Sequence, residues 1–105
     1  MNPENSSITG SVVVDCHGSR VGKATDVLFD DYTMQPTWVV VDYGTVLKHR
    51  TAVPYDRIYV GETGEIVLES DKDTVKEAPR VHGAPLSTDE STALERYYHG
   101  SGSPV

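Results

Sequence analysis

A chain of 105 residues, 37% hydrophobic and 24% charged, has enough material for one compact domain and too little for two. Its formal net charge of -7 argues against a phosphate backbone as partner, and the acids are spread along the chain, with 12 acids and 8 bases in residues 11–86. A single cysteine, Cys16, excludes an internal disulfide framework.

The start, MNPENSSITG, is polar and has neither the basic end nor the apolar centre of a signal peptide. No apolar run approaches the ~20 residues of a membrane-spanning helix. The expectation is a cytoplasmic soluble protein whose residues 1–7 are disordered. From Ile8 onward, short apolar runs alternate with turn residues, the pattern of an all-β domain. The first run is SVVVD, residues 11–15. Asp15 and Gly18 then stand at the first and fourth positions of a type I turn.

The return strand begins near Arg20 and has irregular phase. Val21 and Ala24 are three apart, whereas Val27 and Phe29 are two apart with Leu28 opposite. A β-bulge near Thr25–Asp26 would bring both halves onto one inner face, and Gly22 relieves crowding beside it. Bulges and glycines are how small barrels turn corners, so the strand is expected to be long, bent and shared between two edges of a closed sheet. Asp26 is expected to bond a backbone amide freed by the kink.

DDYTMQP, residues 30–36, reads as a hairpin loop, and TWVVVDY, residues 37–43, as a strand apolar on both faces. Such a strand is either central or also faces a partner. Gly44 ends it. A strand near Thr51–Val53 is broken by Pro54, which lacks a ladder donor. Arg57 to Val60, the turn Gly61–Gly64 and Glu65 to Glu69 read as a further hairpin. Asp73 is expected to cap a single helical turn that Pro79 follows and ends. Ser87 and Glu90 stand at capping-box spacing, which predicts a short helix to about Tyr98 closed by Gly100. Ala93, Leu94, Tyr97 and Tyr98 form its apolar stripe, which needs a surface to pack on, either its own barrel or a neighbour's, and SGSPV, residues 101–105, is expected to be disordered.

These pieces fall in a familiar order. A strand ends in Asp15, a turn carries Gly18, V-G-K stands at 21–23 and D-V-L-F-D at 26–30. W-V-V-V follows at 38–41 with Gly44 after it, then V-P at 53–54 and T-V-K-E-A-P at 74–79. Over residues 8–80 the chain resembles the PRC-barrel family, named for the photosynthetic reaction centre H subunit. The resemblance implies a small, strongly bent β-barrel of about six strands; the linker and helix read from the residues, over 81–100, lie beyond it. In the H subunit such a domain lies on the cytoplasmic face of a membrane complex; in a ribosome maturation factor a similar barrel aids a ribosomal-protein contact. Stand-alone versions look like short homo-oligomers.

Candidate chemistry is thin. Cys16–His17 pairs a thiol with an imidazole, either a nucleophile or two metal ligands, but neighbours on extended chain point apart and no second cysteine exists. An ordinary surface turn is the simpler reading. Asp30–Asp31 and Asp71–Asp73 lack the calcium-loop pattern, and G-E-T-G lacks the lysine and helix of a phosphate loop. Lys48, His49 and Arg50 form the one basic cluster in the sequence, and with Tyr43 and Tyr55 near it they give the bare outline of a nucleic-acid patch; a charged loop, able to meet an acidic partner, is the simpler reading. No catalytic, cofactor-binding or metal residues are assigned. The reading is a non-enzymatic protein–protein interaction module, a homodimer using Trp38, Val39, Val41 and Tyr43 on the doubly apolar strand, or Leu94, Tyr97 and Tyr98 on the helix, or both. The alternatives are an adaptor docking on a ribosomal or membrane-complex protein, and a small metal binder or enzyme built on Cys16 and His17.

Overall fold

Valine-rich runs favour extended backbone because β-branched side chains pack well on a pleated surface. The structure, a computed structural model, describes residues 9–44, 46–82 and 85–100; the expected disordered ends, 1–7 and 101–105, lie outside them. The strands are β1 (Val12–Val14), β2 (Arg20–Phe29), β3 (Pro36–Tyr43), β4 (His49–Pro54), β5 (Ile58–Val60) and β6 (Ile66–Leu68). Two helices follow, α1 (Lys72–Glu77) and α2 (Thr88–Glu95). Among the described residues the strands form one sheet in the order β4-β3-β2-β1-β6-β5, with β1–β6 parallel and the other pairs antiparallel.

Among the described residues the sheet curls into a half-barrel and does not close by hydrogen bonding. Its end strands β4 and β5 are joined only by the 3-10 turn Tyr55–Arg57. The closed ladder expected from the bent strand is therefore corrected to an open one, with a filled interior. Val13, Val39, Val40, Val41 and Ile66 are wholly buried, Val40 on the opposite face of β3 from Val39 and Val41. Each such side chain contributes roughly 1.5–3 kcal/mol relative to its exposed state.

The bend sits where the phase of the sequence changes. Against β3, Ala24 pairs with Val41 and Asp26 with Val40, so Thr25 is the extra residue. Val27 then pairs with Val39, which returns it to the face of Ala24. Against β1, Val13 faces Gly22 and Val14 faces Arg20, so Val21 is a second extra residue. A third irregularity lets Leu28 face Trp38 while Phe29 faces Pro36, skipping Thr37. That last slip turns Phe29 outward, to 37% exposure, against the expectation that it shares the inner face.

Threonine hydroxyls serve two of these bulges. Thr25 Oγ1 donates to the Val40 carbonyl at 3.4 Å and Thr37 Oγ1 to the Leu28 carbonyl at 3.1 Å. Asp26 does not take the expected role: it is exposed, and among the described residues its carboxylate accepts no backbone hydrogen bond. Gly22 fits its expected one, because a Cβ there would lie 1.9 Å from the Asp42 carbonyl oxygen.

The cap of α1 is Asp71, not Asp73. Asp71 accepts from the Thr74 amide at 2.9 Å and hydroxyl at 2.8 Å, while Asp73 stands in the first turn, where its charge still suits the helix dipole. The Ser87–Glu90 capping box of α2 is present as expected. Regular helix ends at Glu95, and the chain continues as a π-type turn over Arg96–Gly100.

Candidate interaction surfaces

The residues expected at a partner interface are largely inside the chain's own core. Trp38, Val39, Val41, Tyr43, Leu94 and Tyr98 are at most 9% exposed, and Tyr97 packs half-buried against them. The apolar stripe of α2 and its turn lies on this chain's barrel. The Tyr98 ring stands 6.2 Å from Trp38, and Tyr97 Oη donates to the Thr74 carbonyl of α1 at 2.7 Å. Burial pushes the Tyr98 hydroxyl pKa well up, with the Tyr97 and Tyr43 hydroxyls adding to it. Strand β3 is thus apolar on both faces because it is internal to the sheet and Trp38 is covered by the C-terminal turn.

The two ends of the sheet differ. The β4 edge is covered by the segment after α1: the Val81 amide donates to the Arg50 carbonyl at 2.9 Å, Thr51 Oγ1 to the Pro79 carbonyl at 2.7 Å, and Arg50 Nη1 to the His82 carbonyl at 3.0 Å. At the other end, β5 has β6 as its one strand neighbour among the described residues. Tyr59 and Val60 there are 60% and 51% exposed. Among the described residues no other strand pairs with that edge, and an exposed edge strand is a template for adding another strand.

Cys16–His17 occupies an exposed turn whose organiser is the residue before it. Asp15 is 3% exposed and its carboxylate accepts from the amides of His17 (2.9 Å), Ser19 (2.8 Å) and Lys72 (2.9 Å). Burial alone would raise its pKa; the Ser19, His17 and Lys72 amides, with the His17 ring nearby, outweigh that and hold it below the ordinary carboxylate value. Among the described residues no three His, Cys, Asp or Glu side chains converge as metal ligands. The loop acids have local tasks. Asp30 accepts from the Tyr32 and Thr33 amides at 2.8 and 3.0 Å, and Asp71 is the cap already described. G-E-T-G is the β5–β6 hairpin turn, closed by the Gly64 amide on the Gly61 carbonyl at 3.1 Å.

The function of Asp15 as a tie between the first turn and α1 was not readable from its local pattern, which predicts only the turn. Its partner Lys72 is 57 positions away.

A curled, antiparallel-rich sheet around a hydrocarbon interior is the architecture of a small barrel. The chain belongs to the PRC-barrel family: the family model of the PRC-barrel domain matches residues 4–75. Domains of this family serve in protein interaction and are generally non-catalytic. No curated protein matches the chain in sequence. Among the described residues no helix is long and apolar enough to cross a membrane.

Proposed function

We propose that the chain is a non-enzymatic interaction module that pairs with a second copy of itself through the edge of β5. The observation that carries this reading is the asymmetry of the sheet: β4 is covered by residues 79–82, whereas β5 offers Tyr59 and Val60 to solvent. Two such edges can pair antiparallel about a two-fold axis, the commonest symmetry of small homo-oligomers. The surface expected from sequence, Trp38 to Tyr43 with Leu94 to Tyr98, would enter a dimer only by exchange of α2 between copies, since it is occupied within one chain.

Light scattering after gel filtration, over a range of concentrations, tests the reading. The expected mass is twice 11.5 kDa, with Tyr59→Lys plus Val60→Lys returning it to one chain. A wild-type monomer at every concentration refutes the dimer. A dimer that survives both substitutions refutes the β5 edge and directs attention to helix exchange.

A further inference from the structure

All four lysines of this acidic chain come together. Lys23 on β2, Lys48 before β4, and Lys72 and Lys76 on α1 line one groove of about 720 Å³ with Arg20. Val21, Gly22 and Tyr43 contribute apolar and backbone surface to it. The one acid among its described lining residues is Asp42, and it is already neutralised. Arg50 Nε and Nη2 hold Asp42 Oδ1 and Oδ2 at 2.6 and 3.1 Å, a two-pronged pair. Lys23 faces Asp42 across the β2–β3 ladder yet makes no ion pair with it. Among the described residues none of the five groove cations is in a salt bridge.

Asp26, exposed on β2, is a further carboxylate whose charge reaches Arg50, while two acids beside Lys72 are engaged elsewhere. Asp15 is committed to three amides, one of them that of Lys72, and Asp71 to its cap. A second hollow of about 320 Å³ adjoins the groove, sharing Asp42 and Lys48 and adding His49, Arg50, Arg80 and His82. Together they gather seven of the nine Lys and Arg side chains of a chain of net charge -7 into one basic track. Concave walls focus the field of like charges, so such a track concentrates anions.

We propose that this track is the docking site for an extended, carboxylate-rich segment of a partner protein. The spread of its cations over two adjoining hollows favours a chain with spaced charges over a compact anion, and its concave form suits a strand-like segment better than a flat lipid surface. Lysine supplies mobile point charges, suited to carboxylates at several spacings. Tyr43, the aromatic of the larger groove, is 4% exposed and offers no platform for stacking a base, which sets nucleic acid second. The proposal deepens the reading of the chain as an interaction module and does not depend on its dimerisation.

The test is fluorescence anisotropy of a labelled oligoglutamate of about ten residues, roughly 33 Å when extended, titrated with the full chain. Binding is expected at low ionic strength and should weaken as salt screens it. Lys23→Glu with Lys48→Glu should raise Kd by about tenfold or more, and Lys72→Gln with Lys76→Gln by a smaller factor, while Arg96→Glu, away from the track, should change it by less than about twofold. Circular dichroism verifies that each variant is folded, and the glutamine pair decides if the glutamate pair is not. Three results overturn the proposal: no wild-type binding at low salt, equal loss in Arg96→Glu, or tighter binding of an equally charged oligothymidylate. Light scattering on the same samples separates the two readings. A monomer that binds the peptide upholds the track and refutes the dimer; a dimer indifferent to the peptide does the reverse.

Discussion

A buried carboxylate is stabilising only when its charge is met, and Asp15 meets it with three amides from two parts of the chain. Because its folded pKa lies below the unfolded value of 3.8, its contribution is fully present above that value and is lost as pH falls through the lower, folded one. Glu90 behaves alike. The Ser87 amide, the His82 ring and the His82 amide bring its pKa from 4.5 down to about 2, so its share also disappears on the acid side. Thermal melts between about pH 2 and 6 should therefore show stability falling steeply below about pH 4. Asp15→Ala should lower the melting temperature at neutral pH and flatten that acid limb. An unchanged acid limb in the variant would mean that Asp15 is not depressed as described.

At the scale of elements, the determining feature is how closely β2 approaches β3 at the bend. The 1.9 Å that a Cβ on Gly22 would leave to the Asp42 carbonyl is far inside contact, and the obstacle is backbone. Gly22→Ala must push the two strands apart beside the Val21 and Thr25 bulges, where the ladder is already interrupted. Destabilisation of about 1–3 kcal/mol is expected, read as a lower urea midpoint at unchanged slope. A neutral result would show that the strands can separate there without loss. Gly44 differs: its φ of +100° places it in the left-handed region, so it ends β3 by backbone conformation as well as by space.

For the whole molecule, the C-terminal segment is part of the barrel's stability. α2 is too short to persist alone, and its Leu94 is wholly buried. Leu94→Ala should cost about 2–5 kcal/mol, and deletion of residues 87–105 should cost more by uncovering Trp38. A red shift of the fluorescence of Trp38, the chain's one tryptophan, would report that uncovering. Unchanged stability and emission after the deletion would refute docking of the helix on its own barrel.

Much of the architecture was legible in the chain because the rules concerned act within a few residues. Asp15 and Gly18 mark a turn, the broken phase from Val21 to Val27 marks a bulge, and Ser87 with Glu90 marks a capping box; each follows from local sterics and nearby hydrogen bonds. The family, too, lies in that order of short runs. The surfaces were not legible in the same way. Lys72 and Lys76 show their common helix face by spacing, but nothing local joins them to Arg20, Lys23 or Lys48. Sequence likewise left open whether Leu94 and Tyr98 pack on this chain's own barrel or a neighbour's. By itself the sequence determined the strands, their turns and the bend; only the tertiary structure decided which charges converge and which apolar faces are already covered. The reason is that burial and electrostatic fields depend on distance in space, and the curl of the sheet brings together residues far apart along the chain.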